Sequence, residues 1–132
     1  MNVFIDTSAF FALLDRDDDN HQRAAGAWKT LLENDAHLIT SNYVLVETVA
    51  LLQSRLGIEA VRGFQTEMVP TIAIEFVDVD LHRLGIASLL AAGKRKLSLV
   101  DCVSFEIMRR LGLKHVFVFD AHFKGQGFDT LP

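Results

Sequence analysis

A chain of 132 residues, half of them hydrophobic and 23% charged, suits one globular domain with a real core and is too apolar for a disordered tail. Its single cysteine, Cys102, excludes an intramolecular disulfide and, lying near Val100 and Val103, reads as a small core residue. The net charge of −4 argues against a nucleic-acid partner until its distribution is read: residues 1–93 carry 13 acids and 6 bases, residues 94–124 carry 7 bases and 3 acids.

Val3-Phe4-Ile5 is a short buried strand ended by Asp6. Thr7 and Ser8 are capping residues that open a helix carrying Phe10, Phe11, Leu13 and Leu14. The polar turn 17–20 leads into a second helix with Ala24, Ala27, Trp28, Leu31 and Leu32 on its apolar side, and Leu38-Ile39 is a second strand. A third helix runs from Ser41-Asn42 to Leu56 and stops at Gly57; a fourth covers Glu59 to Met68, ahead of Pro70. Thr71 to Val77 reads as a strand, Asp80 to Ala92 as a helix ended by Gly93. Ser98 opens the next helix, which continues to Gly112, and His115 to Phe119 is a strand ended by Asp120. The tail, with Phe128 and Leu131, supplies a short edge strand. Short apolar runs alternating with amphipathic stretches predict a single α/β domain over residues 1–132, a three-layer α/β/α sandwich around a short parallel sheet.

Four acids stand in informative places. Asp6 and Asp120 each follow a hydrophobic strand, where side chains of a parallel sheet meet the ligand crevice; either could equally cap the next helix. Glu47 interrupts the apolar stretch Tyr43 to Leu52, which reads as a largely buried helix; there a carboxylate needs an arginine or a metal ion. Asp101 completes the capping box Ser98-Leu-Val-Asp101, and the same helix N-terminus keeps a carboxylate ionised, as a metal ligand must be. Acids that converge repel one another, and Mg2+ or Mn2+ relieves the repulsion because hard cations take oxygen ligands. Zinc is disfavoured, with no cysteine pair and no His-Glu-x-x-His spacing; the five histidines are scattered and read as surface or structural residues. Lys94, Arg95, Lys96, Arg109 and Arg110 are candidates for gripping phosphate, or else a solvated loop and a helix end.

Taken in order, Val3 to Ala9, Leu14 to His21, Thr40 to Glu47, Leu97 to Phe105, Phe119 to Phe123 and Gly127-Phe128 resemble the PIN-domain nucleases, especially the VapC-type toxins of toxin–antitoxin pairs. The resemblance implies a Mg2+-dependent endoribonuclease that uses water activated at the metal. Asp6 and Asp101 would be the principal ligands, with Glu47 and Asp120 completing the cluster. Thr7 and Ser8 would orient water or the first carboxylate. It also implies an RNA substrate, a cognate antitoxin protein and a homodimer. One departure is Val118, where many members carry a small hydroxylated residue.

A PIN-fold metal-binding scaffold without hydrolysis is the alternative. A dehalogenase-like phosphatase lacks its second acid after Asp6, and a receiver-like module would want paired acids after the first strand. The N-terminus carries no basic segment before its apolar run, and no stretch approaches the roughly 18 apolar residues of a membrane span, so a soluble cytoplasmic protein is expected.

Overall fold

The computed structural model describes residues 1–132. The chain runs β1 (Asn2–Ile5), α1 (Thr7–Leu14), α2 (His21–Glu33), β2 (His37–Ser41), α3 (Asn42–Arg55) and α4 (Ile58–Gly63). It continues through β3 (Ala73–Glu75), α5 (Val79–Ala92), α6 (Leu99–Leu111), β4 (His115–Phe117), α7 (His122–Gly125) and β5 (Asp129–Leu131). All five strands are parallel, in the order β3-β2-β1-β4-β5. The chain therefore winds outward from β1 to β3, returns past β1 to β4, and winds outward again to β5. With the right-handed crossovers that parallel strands take, this order puts α1 to α4 on one face and α5 to α7 on the other, the arrangement of a three-layer α/β/α sandwich. The reversal lies between β1 and β4, and crevices form at the carboxyl ends of strands at such a point. Asp6 and Asp120 follow those two strands.

The core is continuous across the sheet. Val3, Phe4 and Ile5 are wholly buried, as are Val116 and Phe117 on the neighbouring strand. Phe10 of α1 meets Phe64 edge-on at 5.0 Å, and Phe105 of α6 meets Phe123 of α7 at 4.8 Å. Cys102 is buried within this core. No helix is long and apolar enough to cross a membrane.

Three elements differ from their sequence reading. The strand expected over 71–77 is confined to Ala73–Glu75, because β3 is an edge strand paired only with β2 and Thr71 closes a 3-10 turn around Pro70. The fourth helix begins at Ile58 and passes into a π-helical turn over Phe64–Met68, which accompanies the burial of Phe64. The strand at His115 ends at Phe117, although the Val118 N–H still donates to the Leu131 carbonyl.

Helices α5 and α6 approach closely at Gly85. A Cβ there would lie 2.4 Å from Cγ2 of Val103, a wholly buried, β-branched side chain with little freedom to turn away. Gly85→Ala is expected to destabilise the fold by about 1–3 kcal/mol despite the better helix propensity of alanine. Urea unfolding checks this: the midpoint should fall with an unchanged slope.

Candidate metal centre

Asp6 is set by the end of β1. Its backbone N–H donates to the Phe117 carbonyl of β4, and its side chain caps α1 by accepting from the Ser8 N–H at 3.0 Å. The Ser8 hydroxyl donates to the same oxygen, Oδ2, at 2.7 Å and accepts from the Phe119 N–H at 2.9 Å. Ser8 thus locks the first acid to the strand end that carries Asp120. The second oxygen, Oδ1, is buried without a hydrogen-bond partner. Burial pushes the Asp6 carboxyl up to about 6, against the Ser8 hydrogen bonds, with the charges of Asp101 and Glu47 raising it further.

Asp101 forms the expected capping box: its N–H donates to Ser98 Oγ at 3.0 Å, and Oδ2 accepts from the Ser98 N–H at 3.4 Å. The cap does not exhaust it. Asp101 is only 6% exposed, and its carboxyl is also raised by burial, then by the charges of Asp120 and Glu47, against the bonds from Ser98. Asp101 is therefore coupled to all three other acids, and the four form one cluster.

Glu47 reaches the cluster, but the reason for singling it out needs correction. Helix α3 is not largely buried: Val46 is 69% exposed, Ala50 is exposed, and Glu47 itself is half-buried. Val46 and Ala50 are uncovered, whereas Leu45 and Val49 are partly packed against the core. No lysine or arginine pairs with Glu47, so of the two partners considered for it the arginine is excluded within this chain.

Asp120, half-buried, receives the His122 N–H on Oδ1 at 2.8 Å, a tight turn that starts α7. That turn brings in a residue passed over in the sequence. His122 Nδ1 stands 2.9 Å from Asp120 Oδ1 and 3.5 Å from Asp101 Oδ2. Ligand atoms of these three residues lie within 4.8 Å of one another. The ring nitrogen is at ion-pair distance from the acid yet too poorly aligned for a hydrogen bond, and it is buried. The available signal was the Asp-x-His spacing at a strand end.

The supporting residues divide. Ser8 donates its hydroxyl to the first carboxylate. Thr7 does not: its hydroxyl donates to the Val44 carbonyl at 3.4 Å and accepts from Thr48 Oγ1 at 3.1 Å, so it ties α1 to α3. Among the basic candidates, Lys94, Arg95 and Lys96 are exposed on the loop that enters the site through Ser98, and none is paired with an acid. Arg109 pairs with Glu106 at 3.3 Å and bonds Gln126, while Arg110 pairs with Asp78 at 3.5 Å. Those two sit in the last turn of α6, at the opposite end of the helix from Asp101, as a helix end rather than part of the site.

The donors that stand together, two carboxylates and one imidazole from Asp101, Asp120 and His122, suit a divalent cation, and the Asp6 and Glu47 carboxylates lie in electrostatic reach of them rather than within the same tight grouping. Asp6 Oδ1 and His122 Nδ1 are the only buried side-chain polar atoms in the chain without a hydrogen-bond partner, and both belong to this cluster. Unpaired buried groups are costly, and a cation compensates such donors.

Residues 3–128 match the PIN domain family model. The chain is a PIN domain. This PIN domain is 33% identical over 127 residues to the 23S rRNA-specific endonuclease VapC20 of Mycobacterium tuberculosis, a match covering 96% of this chain and 95% of the relative. Its structure is similar to the crystal structure of that VapC20, described as a toxin cleaving the sarcin-ricin loop, with a TM-score of 0.85, 32% identity, and coverage of 96% and 95%. FitAcB from Neisseria gonorrhoeae shares the fold at a TM-score of 0.70 and 14% identity, over 98% of this chain and 96% of the other.

Proposed function

We propose that this PIN domain is a Mg2+-dependent endoribonuclease toxin whose substrate is the sarcin-ricin loop of 23S rRNA. The observation that carries the chemistry is the grouping of Asp101, Asp120 and His122, whose ligand atoms lie within 4.8 Å of one another, with the Asp6 and Glu47 carboxylates in electrostatic reach of Asp101. The substrate rests on the likeness to VapC20 over nearly the full length of both chains.

Asp6 and Asp101 are the principal metal ligands in this reading, with Glu47, Asp120 and His122 completing the shell directly or through water; Mn2+ suits the same oxygens. When bound, the metal supplies an acidic water and neutralises charge developing on the phosphate. The rest falls to the chain. Ser8 holds the Asp6 carboxylate in one orientation, and Ser98 with the N-terminus of α6 favours the ionised form of Asp101. Lys94, Arg95 and Lys96 attract the RNA backbone without reading sequence.

A cognate antitoxin and a homodimer follow from the same family reading. The uncovered strip on α3, with Val46 exposed beside Leu45 and Val49, supports the second. A solution mass of only 14.7 kDa by light scattering would count against it.

The substrate is tested by incubating purified protein with 70S ribosomes in Mg2+ and mapping breaks by primer extension. One dominant stop within the sarcin-ricin loop is expected; dispersed stops, or stops elsewhere in 23S rRNA, would refute the assignment.

A further inference from the structure

We infer that the groove on the outer side of Asp120, lined by Arg23, Phe119 and Lys124, is a phosphate subsite for the nucleotide next to the bond that is cut. This rests on the ribonuclease reading and adds residues that neither the acids nor the basic loop point to. The groove is a cavity of about 210 Å3 with Asp120 itself in its wall. Arg23 enters it from α2 and Lys124 from α7, elements far apart in sequence.

Neither cation is committed elsewhere. Lys29, Arg62, Arg109 and Arg110 each pair with an acid, whereas Arg23 and Lys124 pair with none. The one side-chain hydrogen bond of Arg23 is a marginal 3.5 Å contact to Asn20. Its guanidinium lies 5.6 Å from the centre of the Phe119 ring, which orients the donors without using them up. Phe119 is in turn fixed to the acidic cluster, because its N–H donates to the Ser8 hydroxyl that holds Asp6. Arg23 is thereby seated against a residue bonded to the acidic cluster, and Lys124 lines the same groove.

The electrostatics require something of the kind. Four carboxylates repel a polyanion, so RNA must be held on either side of them. Lys94, Arg95 and Lys96 serve the side next to α6, and Arg23 with Lys124 serve the side beyond Asp120. Arg23 offers a fork to two phosphate oxygens and Lys124 a point charge.

The test is fluorescence anisotropy with a fluorescein-labelled synthetic hairpin of the sarcin-ricin sequence, in EDTA, over a series of KCl concentrations. Arg23→Ala and Lys124→Ala should each reduce the slope of log affinity against log salt by about 0.7–0.9, and the double variant by about twice that. Arg23→Lys should keep the slope, and Lys29→Ala, which removes a cation already paired with Glu33, should leave it unchanged. Both groove cations are exposed, and circular dichroism checks that the variants fold. A double variant with the wild-type slope, or wild-type protein that does not bind the hairpin, would overturn the subsite. Cleavage of the same RNA in Mg2+ is scored separately: binding with the expected slopes but no cleavage would reject the ribonuclease reading and retain the groove as an RNA contact.

Discussion

Asp101→Asn is expected to lower RNA cleavage on the order of 10^3-fold while leaving the fold at least as stable in EDTA at pH 7.5. The loss follows from removing a charged ligand from a site worth several kcal/mol of transition-state stabilisation, at about 1.4 kcal/mol per tenfold. The retained stability follows from the geometry. An asparagine oxygen can still accept the 3.4 Å bond from the Ser98 N–H, and the Asp101 N–H still reaches Ser98 Oγ. What disappears is a negative charge whose proton affinity is raised first by burial and then by the charges of Asp120 and Glu47. Thermal unfolding and single-turnover cleavage separate the roles. A plain helix cap would keep both stability and rate in this variant; a metal ligand keeps stability and loses the rate.

Metal-free protein is expected to become less stable as pH rises from about 4 to about 6, and Mg2+ is expected to cancel that loss. The folded Asp6 carboxyl lies at about 6 against an unperturbed 3.8, so the folded state holds the proton more tightly than the unfolded chain. That contribution is fully present below 3.8 and is lost as pH climbs through about 6. The difference corresponds to about 3 kcal/mol, roughly 10 °C in Tm for a domain of this size. Burial is the leading cause, and the charges of Asp101 and Glu47 add to it. Melting in EDTA at pH 5 and pH 7.5, beside Asp6→Asn, isolates the effect from other titrating groups. The variant should show a flatter profile, and Mg2+ should raise wild-type Tm at pH 7.5 far more than at pH 5. Identical profiles for wild type and variant would show that Asp6 is not the origin.

Much of this site was legible because strands advertise where they end. Val3-Phe4-Ile5 and His115 to Phe119 are apolar runs cut by an acid, and adjacency of β1 and β4 at the sheet reversal brings the two acids together. Asp101 was visible locally as a cap, which it is, and as a candidate ligand only through the family resemblance; its proximity to three other carboxylates is a property of the fold. Glu47 was singled out on a mistaken premise, since an apolar helix can be uncovered as well as buried, and composition does not distinguish the two. His122 was missed because its contribution depends on a tight turn at Asp120 that no hydrophobic period marks. Arg23 was missed for a different reason: it belongs to α2, and only the tertiary fold sets it over Phe119. The basic pair Arg109-Arg110 shows the converse, a charge run that the fold assigns to Glu106, Gln126 and Asp78. The short β3 and the π-helical turn at Phe64 reflect packing at a sheet edge, which residue propensities do not encode.

The central claim is that the acidic cluster cleaves RNA when it holds a divalent cation. Its most direct test is the rate of cleavage of the synthetic sarcin-ricin hairpin by one preparation assayed with Mg2+, with EDTA, and with Mg2+ restored, beside Asp101→Asn purified identically. Cleavage that stops in EDTA, returns with Mg2+ and is absent in the variant is the expected result. Equal cleavage by wild type and variant, or a wild-type rate indifferent to EDTA, would contradict it.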